Sequence, residues 1–292
     1  MNRRLVRWSF CLFFAHVAGA GELAPSNSPP DKSPYTLFNP TPVALRRAYN
    51  TDRPSKTDSP YTVDAGVFQI ETDLASWTFD ERNPANADVR VRTWLIAQTN
   101  FKLGLTNWMD LQLVPQGYVN RRTSGSEIGP AAKQRGFGDT VVRLKINFIG
   151  NDGGPFVLAL VSSLKVPTNT NHLGNGIFEP GFGLPINHAL PGGFTLFAQT
   201  RIDFLDEPHS AKPRVQWSNP IGLSRPIVGR LSGYAEFYNA ISSGHDHPWI
   251  GTVDVGLIYQ VSPDFSVDLN SFFGLTDSAD DFNLFIGFGR RF

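Results

Sequence analysis

From Phe68 onward, apolar and polar side chains alternate with a period of two, in runs of about 10 residues divided by turn residues. Phe68, Ile70, Thr72 and Leu74 stand against Gln69, Glu71 and Asp73. Leu95, Ala97, Thr99, Phe101 and Leu103 stand against Gln98, Asn100 and Lys102. The same division sets Met109, Leu111 and Leu113 against Asp110 and Gln112, and Val142, Leu144, Ile146 and Phe148 against Arg143, Lys145 and Asn147. Phe194, Leu196, Ala198, Ile202 and Phe204 oppose Gln199, Arg201 and Asp203. Val253, Val255, Leu257 and Tyr259 oppose Thr252, Asp254 and Gln260, and Phe265, Val267 and Leu269 oppose Ser266, Asp268 and Asn270. Successive side chains of a strand point to opposite faces, so each run describes a wall with one apolar and one polar face. Less regular runs at 156–166, 177–187, 214–223 and 231–241, with a last one at 282–292, bring the total to about 12 strands.

A soluble β-sandwich alternates in the same way. The connections point elsewhere. They alternate between long, near 80–88, 120–138, 167–176, 206–213, 242–248 and 276–281, and short, near 105–108, 150–154, 188–193, 224–230 and 262–264. Long loops on one side and tight turns on the other are the habit of barrels that span a membrane. Asn151-Asp152-Gly153-Gly154, Pro191-Gly192-Gly193 and Ser262-Pro263-Asp264 supply turn chemistry. Aromatic residues gather near the expected strand ends, among them Trp77, Trp94, Trp108, Tyr118, Trp249 and Tyr259, as in a girdle at headgroup level. The chain closes on an amphipathic run in which Phe282, Leu284, Ile286, Phe288 and Phe292 share one face, interrupted by Arg290. An open edge invites aggregation, whereas a closed barrel pairs its last strand with its first. The predicted fold is all-β, a transmembrane antiparallel up-and-down β-barrel of about 12 strands over residues 61–292. Its final strand, Phe282 to Phe292, is the expected signal for the bacterial barrel-assembly machinery.

The N-terminus adds an export route. Arg3, Arg4 and Arg7 precede an apolar stretch from Phe10 to Ala18, and Ala18-Gly19-Ala20 supplies small residues for cleavage. The stretch is too short to cross a bilayer as a helix. Residues 1–20 are therefore expected to be a cleaved signal peptide, which places the protein in the bacterial outer membrane. The only cysteine, Cys11, leaves with it, so no disulfide or thiol chemistry follows. The formal charge of +0 falls to about −3 with the loss of the three arginines, and no basic excess argues for nucleic acid. Residues 21–60, rich in Pro, Ser and Asn, read as a tether or a partial plug of the lumen.

Chemistry is sparse. His245-Asp246-His247 offers two ligands where a catalytic zinc site takes three. Asp277, Asp280 and Asp281 lack the spacing of a calcium loop. Ser124 and Ser126 have no nucleophile elbow. No enzyme, cofactor or metal is expected. The polar face is more informative: Glu71, Asp73, Lys102, Arg143, Lys145, Arg201, Asp203 and Asp254 are the candidate lumen-lining residues. Mixed charge there fits either cross-strand ion pairs filling a narrow barrel or a polar passage of weak ion selectivity.

A resemblance supplements this reading. Thr51-Asp52-Arg53-Pro54-Ser55-Lys56-Thr57-Asp58-Ser59-Pro60-Tyr61-Thr62-Val63-Asp64-Ala65-Gly66, continued by Phe68-Gln69-Ile70-Glu71, resembles the opening of the outer-membrane family named after the meta-pathway of phenol degradation. Ser55 stands where the family usually has an acid. Gly104-Leu105-Thr106-Asn107-Trp108-Met109-Asp110-Leu111, Gly136-Phe137-Gly138-Asp139 and Lys165-Val166-Pro167-Thr168 extend the similarity over most of residues 39–292. The resemblance implies a barrel described as a transporter or channel, at times linked to aromatic compounds, and carries over no catalytic residue. The expectation is a channel for passive or facilitated passage of small molecules, with outer-membrane lipid, a small-molecule solute and the assembly machinery as partners. The alternatives are a non-conducting structural or loop-binding barrel with a plugged lumen and, less favoured, an outer-membrane hydrolase.

Overall fold

The computed structural model describes residues 30–81, 89–125, 131–207, 210, 212–243 and 248–292. The N-terminal 20 residues, Ser126 and the His245–His247 triplet lie outside the described residues. The wall consists of β1 (Phe68–Asp80), β2 (Arg90–Thr106), β3 (Met109–Pro115), β4 (Tyr118–Ser124), β5 (Ala132–Phe137), β6 (Thr140–Ile149), β7 (Phe156–Val166), β8 (Glu179–Ala189), β9 (Thr195–Leu205), β10 (Arg214–Ser218), β11 (Ile221–Val228), β12 (Leu231–Ser242), β13 (Ile250–Ser262), β14 (Phe265–Gly274) and β15 (Phe282–Arg291). Three pairs of sequence neighbours, β3 with β4, β5 with β6 and β10 with β11, are each the two halves of one interrupted wall strand. β3 and β4 both pair β2, β5 and β6 run on the other side of that strand, and β10 and β11 both lie between β9 and β12. The fifteen segments therefore make a 12-stranded barrel, all antiparallel. It closes where β1 pairs β15, from Gln69 opposite Arg291 to Phe79 opposite Phe282. At that seam the rings of Phe68 and the terminal Phe292 stack 5.9 Å apart.

The burial is inverted relative to a soluble protein. Lys102, Lys145, Glu71 and Asp254 are almost fully enclosed, at 0–1 % exposure, while Trp94, Leu257 and Ile286 stand 46–48 % open on the outside. Such a wall is stable where the surroundings are apolar and the interior is polar. The expected apolar row of the last strand faces outward, with Leu284, Ile286 and Phe292 exposed.

Two details depart from the sequence pattern. Leu95 lines the interior and Trp94 and Ile96 face out, although strict alternation put Leu95 and Ala97 in the lipid-facing row. The cause is local. Leu74 is an extra residue between Asp73, opposite Gly287, and Ala75, opposite Ile286. Across the pair, Ala97 takes a positive φ of 58°. One inserted residue inverts every side chain beyond it, because the side-chain period is two. The second departure is at 120–138, read as a loop. β4 and β5 continue the hairpin there, from Tyr118 opposite Phe137 to Thr123 opposite Ala132. Their outer ends are polar on both faces, so no alternation marks them.

Candidate functional site

The interior is occupied by the chain that precedes β1. Thr36 bridges Thr106, and the Leu37 amide donates to the Leu105 carbonyl at 2.8 Å, which ties this segment to the short-turn end. Residues 50–59 then run into the lumen, and 60–66 return. The returning limb is seated by Asn147 Nδ2 donating to the Pro60 carbonyl (2.9 Å), the Val63 amide donating to Asp110 Oδ2 (2.9 Å) and the Gly66 amide donating to the Gly104 carbonyl (2.8 Å). Glycines on the inward face clear the room. A Cβ on Gly104 would lie 1.9 Å from the Asp64 carbonyl oxygen, and one on Gly287 would lie 2.2 Å from Arg53 Nη2 and 2.3 Å from the Thr72 carbonyl oxygen. Gly104→Val is expected to push the returning limb off the wall and to lower stability by about 1–3 kcal/mol, as overpacking does. Thermal unfolding in detergent and proteolytic sensitivity of residues 60–66 measure both effects.

The inner loop carries charges in the order Asp52, Arg53, Lys56, Asp58, and the wall answers each. Asp52 Oδ2 lies 2.9 Å from Lys102 Nζ, and its Oδ1 accepts from Lys145. Lys102 also reaches Glu71 Oε1 at 3.0 Å, and Glu71 Oε2 accepts the Asp52 amide at 2.9 Å. Arg53 bridges Asp73 and Asp268, the latter at 2.7 Å. Lys56 Nζ lies 3.2 Å from Asp254 Oδ2 and 2.6 Å from Thr252 Oγ1, between the rings of Tyr238 and Phe272 at 4.5 and 4.4 Å. Glu236 accepts the Lys56 and Thr57 amides at 2.8 and 3.0 Å. Asp58 pairs Arg143 at 3.1 Å and accepts from Gln199 Nε2 at 3.1 Å. Arg201 and Asp203 pair with each other at 2.6 Å, and Arg201 also donates to Ser163 Oγ at 2.6 Å.

All eight candidate wall residues thus point inward. Six of them, Glu71, Asp73, Lys102, Arg143, Lys145 and Asp254, hold the inner loop, and Arg201 with Asp203 forms a separate pair. Parity along the strands does not reveal the partners on the loop. The signal for those is the alternating charge of Thr51–Asp58, which complements the wall, together with inward glycines where a polar residue is due. Tyr238, Phe272 and Phe285 are also inward and were not among the candidates.

Burial alone would raise the Asp52 carboxyl, but the ammonium groups of Lys102 and Lys145 outweigh it and hold the group well below the usual carboxylate range. Burial likewise pulls Lys56 below the ordinary lysine range, opposed in part by Asp254. A carboxyl depressed in the folded state stabilises fully above its unfolded value, about 4, and its contribution is lost as pH falls through the folded value. The stability difference between the wild type and Asp52→Asn is therefore expected to stay constant from pH 7 to about pH 5 and to close only in stronger acid. Unfolding of the two proteins at a series of pH values tests this.

The loop divides the lumen. On the long-loop side lies a cavity of about 1030 Å³, lined by Asp73, Asp80, Arg121, Arg143, Asp203 and Asp280 among others. On the short-turn side lies one of about 230 Å³, reached by Tyr49, Asn187, Ser224, Ser232, Tyr234 and Gln260. Arg53, Pro54, Ser55 and Asp58 border both.

A family model described as "Putative MetA-pathway of phenol degradation" matches residues 51–292, beginning at the loop motif and running to the last residue. Among solved structures, the chain is similar to an outer membrane channel from Pseudomonas putida F1, at 12 % identity with a TM-score of 0.60, over 83 % of this chain and 100 % of that one. It is also similar to the translocator domain of the autotransporter NalP from Neisseria meningitidis, at 12 % identity with a TM-score of 0.50, over 77 % of this chain and 88 % of that one. These likenesses concern the fold. No curated protein sequence matches the chain.

Proposed function

The chain belongs to this phenol-degradation family, and on that footing we propose that it is an outer-membrane channel for small solutes, including aromatic compounds, with residues 50–60 as a partial plug. The observation that carries the proposal is the pair of cavities within a closed barrel, both bordered by Arg53, Pro54, Ser55 and Asp58 of the inner loop. The solved channel of similar fold supports the role, and the family's description supports aromatic solutes. Tyr238, Phe272 and Phe285 border the larger cavity, with Lys56 over the first two rings and Arg53 over the third, so a planar solute stacks on them when the loop tip is displaced. Charges of both signs line it, which favours weak ion selectivity. The outward row of Phe282, Leu284, Ile286 and Phe288 suits a strand read by the assembly machinery, and Arg3 to Ala20 suits export. In this role no bond is made or broken.

The test is single-channel recording of the full mature chain in a planar bilayer, alongside flux of phenol and of a sugar of similar size into vesicles. Discrete conductance steps with faster phenol flux support the proposal. A folded protein that is silent and passes neither solute overturns it. That result would favour a barrel closed by its inner loop and acting through its outer loops, a reading supported by the continuous ion pairing from Asp52 to Asp58.

A further inference from the structure

The outer surface of the long-loop end carries charges that the passage does not use. Along β2, β4 and β5 the register places Arg92 opposite Arg122, and Arg122 opposite Lys133, side by side on three neighbouring strands. Arg135 lies one outward position below Lys133, with only Asn120 Oδ1 to receive its Nε, at 3.3 Å. These side chains face away from the lumen. The alternate residues Val91, Val119, Arg121 and Gln134 line the interior cavity, and all four cations are exposed. Among the described residues no carboxylate pairs with any of them. Arg92 instead sits 5.8 Å over the Phe79 ring. Like charges directly opposite each other on a sheet face repel and lower stability. Three in register with no counter-charge among the described residues make a place where an anion is favoured.

Their height on the wall indicates which anion. Trp94 lies two residues below Arg92 on the same face, with Trp77 6.5 Å from it, and Tyr118 and Phe137 are 5.5 Å apart on the adjoining strands. Two residues along a strand cover about 7 Å. An aromatic belt marks the boundary of the hydrocarbon, so the cations stand at headgroup level on the side of the long loops. Arginine and lysine there bind phosphate through charge-assisted hydrogen bonds.

We propose that Arg92, Arg122, Lys133 and Arg135 form a lipid-facing site for the phosphorylated diglucosamine headgroup of lipid A in the outer leaflet. The site rests on the outer-membrane placement argued above and is independent of whether the lumen conducts. Two phosphates on one headgroup match a row of cations spread over three strands, about 4.8 Å from strand to strand. Bound lipid cancels the repulsion between them and stabilises the β4–β5 hairpin where it extends beyond the hydrocarbon.

The test uses the full mature chain, wild type and Arg92→Ala/Arg122→Ala/Lys133→Ala, extracted from membranes separated by density. Native mass spectrometry measures retention of bisphosphorylated lipid A, monophosphorylated lipid A and phosphatidylglycerol, and thermal unfolding is followed with and without lipid A. The wild type is expected to hold the bisphosphorylated form most tightly, and the triple variant to bind it at least about tenfold more weakly. Without lipid A the triple variant is expected to unfold at the same or a higher temperature, because repulsion has been removed. With lipid A the order reverses. That crossover separates loss of a ligand from loss of fold. Equal lipid A retention by both proteins, or equal retention of phosphatidylglycerol and lipid A by the wild type, overturns the proposal while leaving the channel reading intact. Recovery of the protein outside the outer-membrane fraction overturns both.

Discussion

Asp52→Asn is expected to lower the unfolding free energy by about 3–5 kcal/mol, the scale for removing one member of a buried ion pair. Asp52 is the only inner-loop acid between Lys102 and Lys145, which are themselves enclosed by the barrel. Lys102 would keep Glu71, at 3.0 Å. Lys145 would keep a neutral amide oxygen in place of the carboxylate, and the Tyr61 carbonyl at 3.4 Å. A buried ammonium left without a carboxylate is costly, and the loop would lose the carboxylate that both lysines share. The measurement is thermal or denaturant unfolding in a fixed detergent. Lys145→Met in the same background should recover part of the loss by removing the stranded charge. An Asp52→Asn protein as stable as the wild type would mean that the loop contributes little to the barrel.

The second large effect concerns conductance. Arg53→Ala combined with Lys56→Ala removes the two cations that pin the loop tip, to Asp73 and Asp268 on one side and to Asp254 and Thr252 on the other. A hydrogen bond to a charged group contributes about 1.5–3 kcal/mol, so losing two anchors shifts the ratio of seated to displaced loop by about 100-fold or more. The segment between the two cavities would then open for a larger share of the time. Single-channel recordings should show larger or more frequent steps, with cation preference rising because Asp73, Asp254 and Asp268 are left uncompensated. Unchanged step size and selectivity would mean that ions bypass the loop.

The two effects share a cause. Wall and loop are complementary in charge, residue by residue, so the same contacts that stabilise the barrel also obstruct it. Stability and openness are therefore expected to trade against each other across substitutions in Asp52, Arg53, Lys56 and Asp58, whereas substitutions in the outward Arg92, Arg122 and Lys133 should leave conductance alone.

The sequence by itself determined the fold class, the strand number and the direction in which Glu71, Lys102, Arg143, Lys145 and Asp254 point. All three follow from a period-two pattern that is local to each strand and compulsory where one face meets lipid. The opening motif from Thr51 to Gly66 also pointed to the family whose model matches residues 51–292. Only the tertiary structure decided three further matters. The extra residue at Leu74 and the positive φ of Ala97 reversed the parity of Leu95, which no periodicity reveals, since a bulge depends on pairing with a neighbour. The extension of β4 and β5 across 120–138 was hidden because strands beyond the lipid need no apolar face. Above all, the partner of each lumen charge could not be read from the wall. A polar face is satisfied equally well by water, by a neighbouring strand or by a distant segment, and the choice of residues 50–66 rests on the space cleared by Gly104, Gly287 and Gly289 once twelve strands have closed.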